Sequence, residues 1–115
     1  MSSPATIRPL VSIVMCTYNG EKFLRAQIDS ILSQTYRHLE LIIVDDVSTD
    51  NTVQITEDFS KTDNRIRYFV NQNNLGYNKN FEKAIGLANG DYIAPCDQDD
   101  IWEDTKIEVM MKQWP

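Results

Sequence analysis

The chain has 115 residues, enough for one domain around a single core, and 42% are hydrophobic against 24% charged, the balance of a globular protein. A formal net charge of −6 argues against a nucleic-acid partner, which would demand clustered lysine and arginine, yet a bound divalent cation can still bring phosphate to an acidic site. No apolar run nears the roughly 20 residues that span a bilayer, and residues 1–10 lack the apolar stretch of a secretory signal. They read as a flexible leader, with residues 11–115 forming one α/β domain.

In chain order, strand patterns alternate with helix patterns. Val11 to Cys16 is a short β-branched run stopped by the turn signal Tyr18-Asn19-Gly20. Leu24, Ile28, Ile31 and Leu32 recur at helical spacing, which predicts an amphipathic helix from Glu21 to about Ser33. Leu39 to Val44 is a second strand, ended by Asp45-Asp46. Ser48 to Thr52 offers several N-caps for a helix whose apolar face carries Ile55 and Phe59. Ile66 to Val70 is the third strand. After the polar loop Asn71 to Gly76, Phe81, Ala84, Ile85 and Ala88 predict a helix near Asn78 to Ala88, with Asn89-Gly90 as a left-handed C-cap. Asp91 to Pro95 is the fourth strand and Glu103 to Gln113 the last helix.

Four βα units in a row imply a parallel sheet with helices on both faces. The mononucleotide-binding order 3-2-1-4 would set the carboxyl ends of strands two, one and four side by side, where open α/β sheets bind ligands. That end collects the acids. Asp45 and Asp46 close strand two, Asp97, Asp99 and Asp100 close strand four, and Thr17, Tyr18 and Asn19 lie between them. Asp45-Asp46 alone reads equally well as an Asx turn or a helix cap. Three carboxylates in four residues repel one another unless solvated or neutralised, and such an oxygen-rich cluster suits Mg²⁺ or Mn²⁺ with substrate phosphates. Gly76 suits a tight turn at a helix start whose free N–H groups favour anions, and Lys79 adds a point charge for phosphate, against its commoner reading as a solvated surface lysine. Trp102 either shapes the pocket rim or fills the core. Cys16 and Cys96, in apolar runs and too far apart for a metal clip, read as small buried hydrophobes.

Several segments in register resemble the opening of family 2 glycosyltransferases of the GT-A fold. They are Val11 to Asn19, Ser30 to Tyr36, Glu40 to Asp46, Asn74-Leu75-Gly76, Ala88 to Ile93, and Asp97-Gln98-Asp99-Asp100-Ile101-Trp102. The resemblance covers about residues 10 to 112 and leans toward bacterial rhamnosyltransferase-like enzymes. It implies a Rossmann-like nucleotide-sugar-binding domain, here the N-terminal part of a larger transferase, cut after its fourth βα unit. The implied donor is a UDP- or dTDP-sugar. Thr17, Tyr18 and Asn19 would line the nucleotide pocket, and Asp46 would accept the ring N–H of the base. Asp97-Gln98-Asp99 would be the DXD motif, with Asp97 facing ribose and metal, Asp99 the main ligand of Mn²⁺ or Mg²⁺, and Asp100 able to share either task. The implied reaction is inverting transfer to a glycan or lipid-linked acceptor in cell-envelope glycan synthesis, in the cytoplasm at the inner face of the membrane. The catalytic base is expected beyond Pro115. A non-catalytic sugar-nucleotide-binding module is the alternative. A receiver-type signalling domain fails on position, since it needs its acids after strands one and three.

Overall fold

The structure, a computed structural model, describes residues 8–97 and 99–113. Its elements are β1 (Val11–Thr17), α1 (Glu21–Leu32), β2 (Leu39–Asp45), α2 (Thr52–Thr62), β3 (Ile66–Val70), α3 (Tyr77–Gly86), β4 (Tyr92–Cys96) and α4 (Lys106–Gln113). All the strand pairs are parallel and the order is β3-β2-β1-β4, as the alternation predicts. A receiver-type flavodoxin order would instead run 2-1-3 through the centre.

The period of two along each strand divides the core between two faces. Val11, Ile13 and Met15 of β1 join Leu39, Leu41 and Ile43 of β2, Ala94 and Cys96 of β4, and apolar residues of α1, α2 and α4. Val14, Ile42 and Val44 point the other way, against Ala84, Phe81 and Leu87 of the α3 segment. Most of these side chains are fully buried, each worth about 1.5–3 kcal/mol. Trp102 belongs to the first core, 6% exposed, with the Lys106 ammonium 4.3 Å from its ring centroid.

Two local expectations are corrected. The last helix starts at Lys106 rather than Glu103. The carbonyl of Glu103 accepts the Gln34 side-chain amide at 2.6 Å and that of Asp104 accepts the Thr35 N–H at 2.8 Å, so the preceding turn is tied to the end of α1. Gln34 then accepts the Ile107 N–H at 3.0 Å and seats α4. Gly90 is not a left-handed cap: α3 ends at Gly86 with Leu87 beyond it at φ −90°, and among described glycines Gly76 has the positive φ. Gly90 instead passes so close to β1 that a Cβ there would lie 2.5 Å from Ser12 Oγ and 2.7 Å from the Leu10 carbonyl. Its absent side chain serves packing, not turn geometry.

Candidate functional site

The parallel strands deliver their carboxyl ends to one end of the sheet, where three loops meet. Thr17 of β1 stands opposite Asp45 of β2, and Cys96 of β4 stands opposite Met15 of β1. A cavity of about 410 Å³ opens there. Cys16 and Thr17 from β1, Tyr18 just after it, Asp46 after β2, and Asn74, Gly76, Tyr77 and Asn80 around the start of α3 line it.

The adjacent acids after β2 work in opposite directions. Asp45, 3% exposed, accepts the Thr17 hydroxyl at 2.7 Å, the Ser48 N–H at 2.8 Å and the Ser48 hydroxyl at 2.6 Å, a turn closed by its own side chain. Asp46, 5% exposed, accepts the Leu75 N–H at 2.7 Å and the Gly76 N–H and Asn71 amide at 3.0 Å. Burial alone would raise its carboxyl pKa, but the bonds from Leu75, Asn71 and Gly76 outweigh it and hold the group below its ordinary range. Asp46 thereby takes up the N–H groups of Leu75 and Gly76, the two residues immediately before α3. Directly after the two acids the chain turns through Val47 at φ 68°, a left-handed conformation costly for a β-branched residue.

The loops after β1 and β2 are laced together. Ser48 Oγ accepts the Asn19 N–H at 2.9 Å, Asn19 Oδ1 accepts the Thr49 N–H at 2.8 Å, and Thr52 Oγ1 accepts the Gly20 N–H at 2.9 Å. Asn19, at φ 50°, is thereby fixed and Tyr18 is left half exposed on the cavity wall.

Across the mouth, the Tyr77 hydroxyl donates to Asp97 Oδ1 at 3.2 Å, joining the cavity to the acidic turn after β4. Burial and the Asp97 carboxylate both push the Tyr77 phenol above its ordinary pKa. The Asp97 carbonyl accepts the Gln27 amide at 2.5 Å and the Asp100 N–H at 3.2 Å, which anchors the turn to α1. Asp97, Asp99 and Asp100 are exposed, and Asp99 is left-handed at φ 74°. Among the described residues no three His, Cys, Asp or Glu converge into a ready-made metal cage. Exposed hard oxygens at a sheet end do fit Mg²⁺ or Mn²⁺ held by one or two carboxylates, with phosphate and water supplying the rest.

The structure thus brings Thr17, Tyr18 and Asp46 to one cavity and links Asp97 to it through Tyr77. Asn19 braces the loop, Lys79 is exposed and not among the cavity-lining residues, and Gln98 lies outside the described residues. Sequence reasoning missed Cys16, Asn74, Tyr77 and Asn80. Tyr77 and Asn80 stand three apart at a helix start, a spacing that puts both on one face and could have been read beside Gly76. Cys16 is partly buried at the wall, its thiol pushed up to about 11 by burial and then by the Asp46 charge.

Residues 12–114 match the family described as glycosyl transferase family 2. This chain belongs to that family. The glycosyltransferase family 2 chain is 42% identical over 103 residues to an uncharacterized glycosyltransferase of Haemophilus influenzae, covering 90% of this chain and 32% of the relative. It is 41% identical over 102 residues to the Escherichia coli UDP-Glc:alpha-D-GlcNAc-diphosphoundecaprenol beta-1,3-glucosyltransferase WfgD, covering 89% and 40%. The chain therefore spans well under half the length of these relatives. Among solved structures it resembles S. aureus TarS in complex with UDP-GlcNAc, with a TM-score of 0.82 at 27% identity over 89% of this chain and 30% of that one. The Pyrobaculum calidifontis mannosyltransferase PcManGT, in complex with GDP-Man and Mn²⁺, gives 0.77 at 27% identity over 84% and 29%. The GT-A architecture is thereby established for residues of this family 2 chain. No helix among the described residues is long and apolar enough to cross a membrane.

Proposed function

We propose that this chain holds the donor site of a glycosyltransferase that passes a sugar from a nucleotide diphosphate to an acceptor hydroxyl, with inversion, in cell-envelope glycan synthesis. One observation carries the reading: at the carboxyl end of a 3-2-1-4 sheet, an aromatic-walled cavity is joined by a hydrogen bond to an acidic turn. The cavity suits a nucleobase and ribose, the turn a cation-bound diphosphate. Neighbours of the same fold bind UDP-GlcNAc and GDP-Man, which supports a nucleotide-sugar ligand. A UDP- or dTDP-sugar is the donor favoured here.

In this reading Tyr18 and Thr17 bound the base and ribose. Asp46 presents one carboxylate oxygen to the base while its bonds to Leu75, Gly76 and Asn71 hold it still. Asp97 and Asp99, with Asp100 beside them, would hold Mn²⁺ or Mg²⁺. When bound, that ion supplies charge neutralisation for the departing diphosphate. The acceptor hydroxyl attacks the anomeric carbon, loses its proton to a base outside the residues assigned here, and the bond to the diphosphate oxygen breaks. WfgD's name gives a diphosphoundecaprenol-linked acceptor, and a similar lipid-linked acceptor would set this enzyme to work in the cytoplasm at the inner membrane face.

Calorimetry with UDP tests the site. Mn²⁺ should tighten UDP binding at least about ten-fold over EDTA, a coupling of about 1.4 kcal/mol. Asp99→Asn should abolish most of that gain and leave the fold intact, because asparagine also tolerates the left-handed backbone at this exposed position. Equal UDP affinity with and without metal would overturn the reading.

A further inference from the structure

Tyr77 is the first residue of α3, set there by Gly76 at φ 84° and ψ 162°, a backbone open to glycine alone without strain. Its side chain is unusual for an aromatic. Tyr77 is 62% exposed, yet its ring rests on Phe81 one turn later, with centroids 5.7 Å apart and planes tilted 46°. Its hydroxyl is committed to Asp97 Oδ1. A large ring that gains little from burial is thus held at both ends on a cavity wall, and Tyr18, 50% exposed, lines the same cavity. Two accessible aromatic rings on one cavity suit a flat π-system, and a carboxylate oriented by a hydrogen bond binds a cation more tightly than one free to rotate.

We propose that Tyr77 has two separable tasks in donor binding: its ring is a stacking wall for the nucleobase, and its hydroxyl sets the Asp97 carboxylate toward the cation and diphosphate. This rests on the donor-site reading above. The side chain then couples the base pocket to the acidic turn, so that a nucleobase in the cavity and a cation at the turn favour one position of α3's first residue.

The test uses uridine, UDP in EDTA and UDP with Mn²⁺ as calorimetric probes of the 115-residue chain and its Tyr77→Phe and Tyr77→Ala variants, with circular dichroism to confirm folding. Tyr77→Phe keeps the ring, so uridine affinity should stay within about two-fold while the Mn²⁺-dependent gain for UDP falls about ten-fold. Tyr77→Ala should lose both, with uridine weakened at least about five-fold. Electron paramagnetic resonance of Mn²⁺ with the UDP complex should show the same loss of ion affinity in Tyr77→Phe. A Tyr77→Phe variant with an unchanged or larger Mn²⁺ gain would overturn the hydroxyl's task. Wild-type uridine affinity in Tyr77→Ala would overturn the ring's. Wild-type chain that binds no UDP even with Mn²⁺ would instead overturn the donor-site reading itself, which keeps the two failures apart.

Discussion

Gly86 and Gly90 lie four residues apart, and a methyl group added to each meets different surroundings. At Gly86, the last residue of α3, a Cβ would have nothing within 4 Å, so alanine there simply restricts the unfolded chain and favours the helix. Gly86→Ala should stabilise by about 0.5–1 kcal/mol. At Gly90 the same group would meet Ser12 Oγ at 2.5 Å, the Leu10 carbonyl at 2.7 Å and the Ser12 N at 2.8 Å. Two of those are backbone atoms of the central strand and its approach, which cannot swing aside. Gly90→Ala should therefore cost about 1–3 kcal/mol. Urea denaturation reads both, as midpoints moving in opposite directions at constant slope.

Among the elements, the two loops that frame the cavity depend on Asp45. Replacing it with alanine strips the acceptor from Thr17 Oγ1, Ser48 N–H and Ser48 Oγ together, and frees Ser48 from the geometry that receives the Asn19 N–H. Asp45→Ala should cost about 2 kcal/mol or more in urea, since donors left buried without partners cost about 1–3 kcal/mol each. A loss under about 0.5 kcal/mol would show that water replaces the brace. The strands themselves, their order and the end of the sheet that bears the site were legible in the sequence, because β-branched runs and helical spacing are local signals. The division of labour between Asp45 and Asp46 was not. Both are carboxylates after a strand, and only the folded loops show that one closes its own turn while the other reaches residues 71–76, far along the chain. Tyr77 escaped for a similar reason: its partner, Asp97, stands 20 residues away. The start of α4 was missed because Gln34 and Thr35 claim the carbonyls before it, a tertiary effect that no local pattern carries.

Across the whole molecule, depressed carboxyls are spread from one end of the sheet to the other, and they set its response to acid. Glu40 sits on β2 toward the end of the sheet remote from the cavity, 8% exposed, and accepts the Ser12 hydroxyl at 2.5 Å, the Asn89 N–H at 2.7 Å and the Arg67 guanidinium at 3.2 Å. Burial pushes its pKa up, but the bonds from Ser12, Asn89 and Arg67 together carry it below the ordinary 4.5. Asp46, Asp50 and Asp63 are lowered likewise. A carboxyl whose folded pKa is depressed contributes its stability fully above the unfolded value and loses it as pH falls through the folded value. The chain should therefore hold a plateau from neutral pH down to about 5 and lose stability steeply below about 4. Glu40→Gln isolates one contributor. At pH 7 the amide cannot satisfy Ser12, Asn89 and Arg67 as a carboxylate does, and the loss should be about 1.5–3 kcal/mol, the worth of hydrogen bonds to a charged group. As pH falls through the lowered folded pKa the wild-type carboxyl takes up its proton and forfeits the same advantage. The stability gap between the two proteins, followed by urea midpoints at pH 7, 5 and 3, should then narrow. A gap that stayed constant to pH 3 would mean that Glu40 contributes through its shape and packing, and that its charge adds nothing to the joint between β1, β2 and the turn at Asn89.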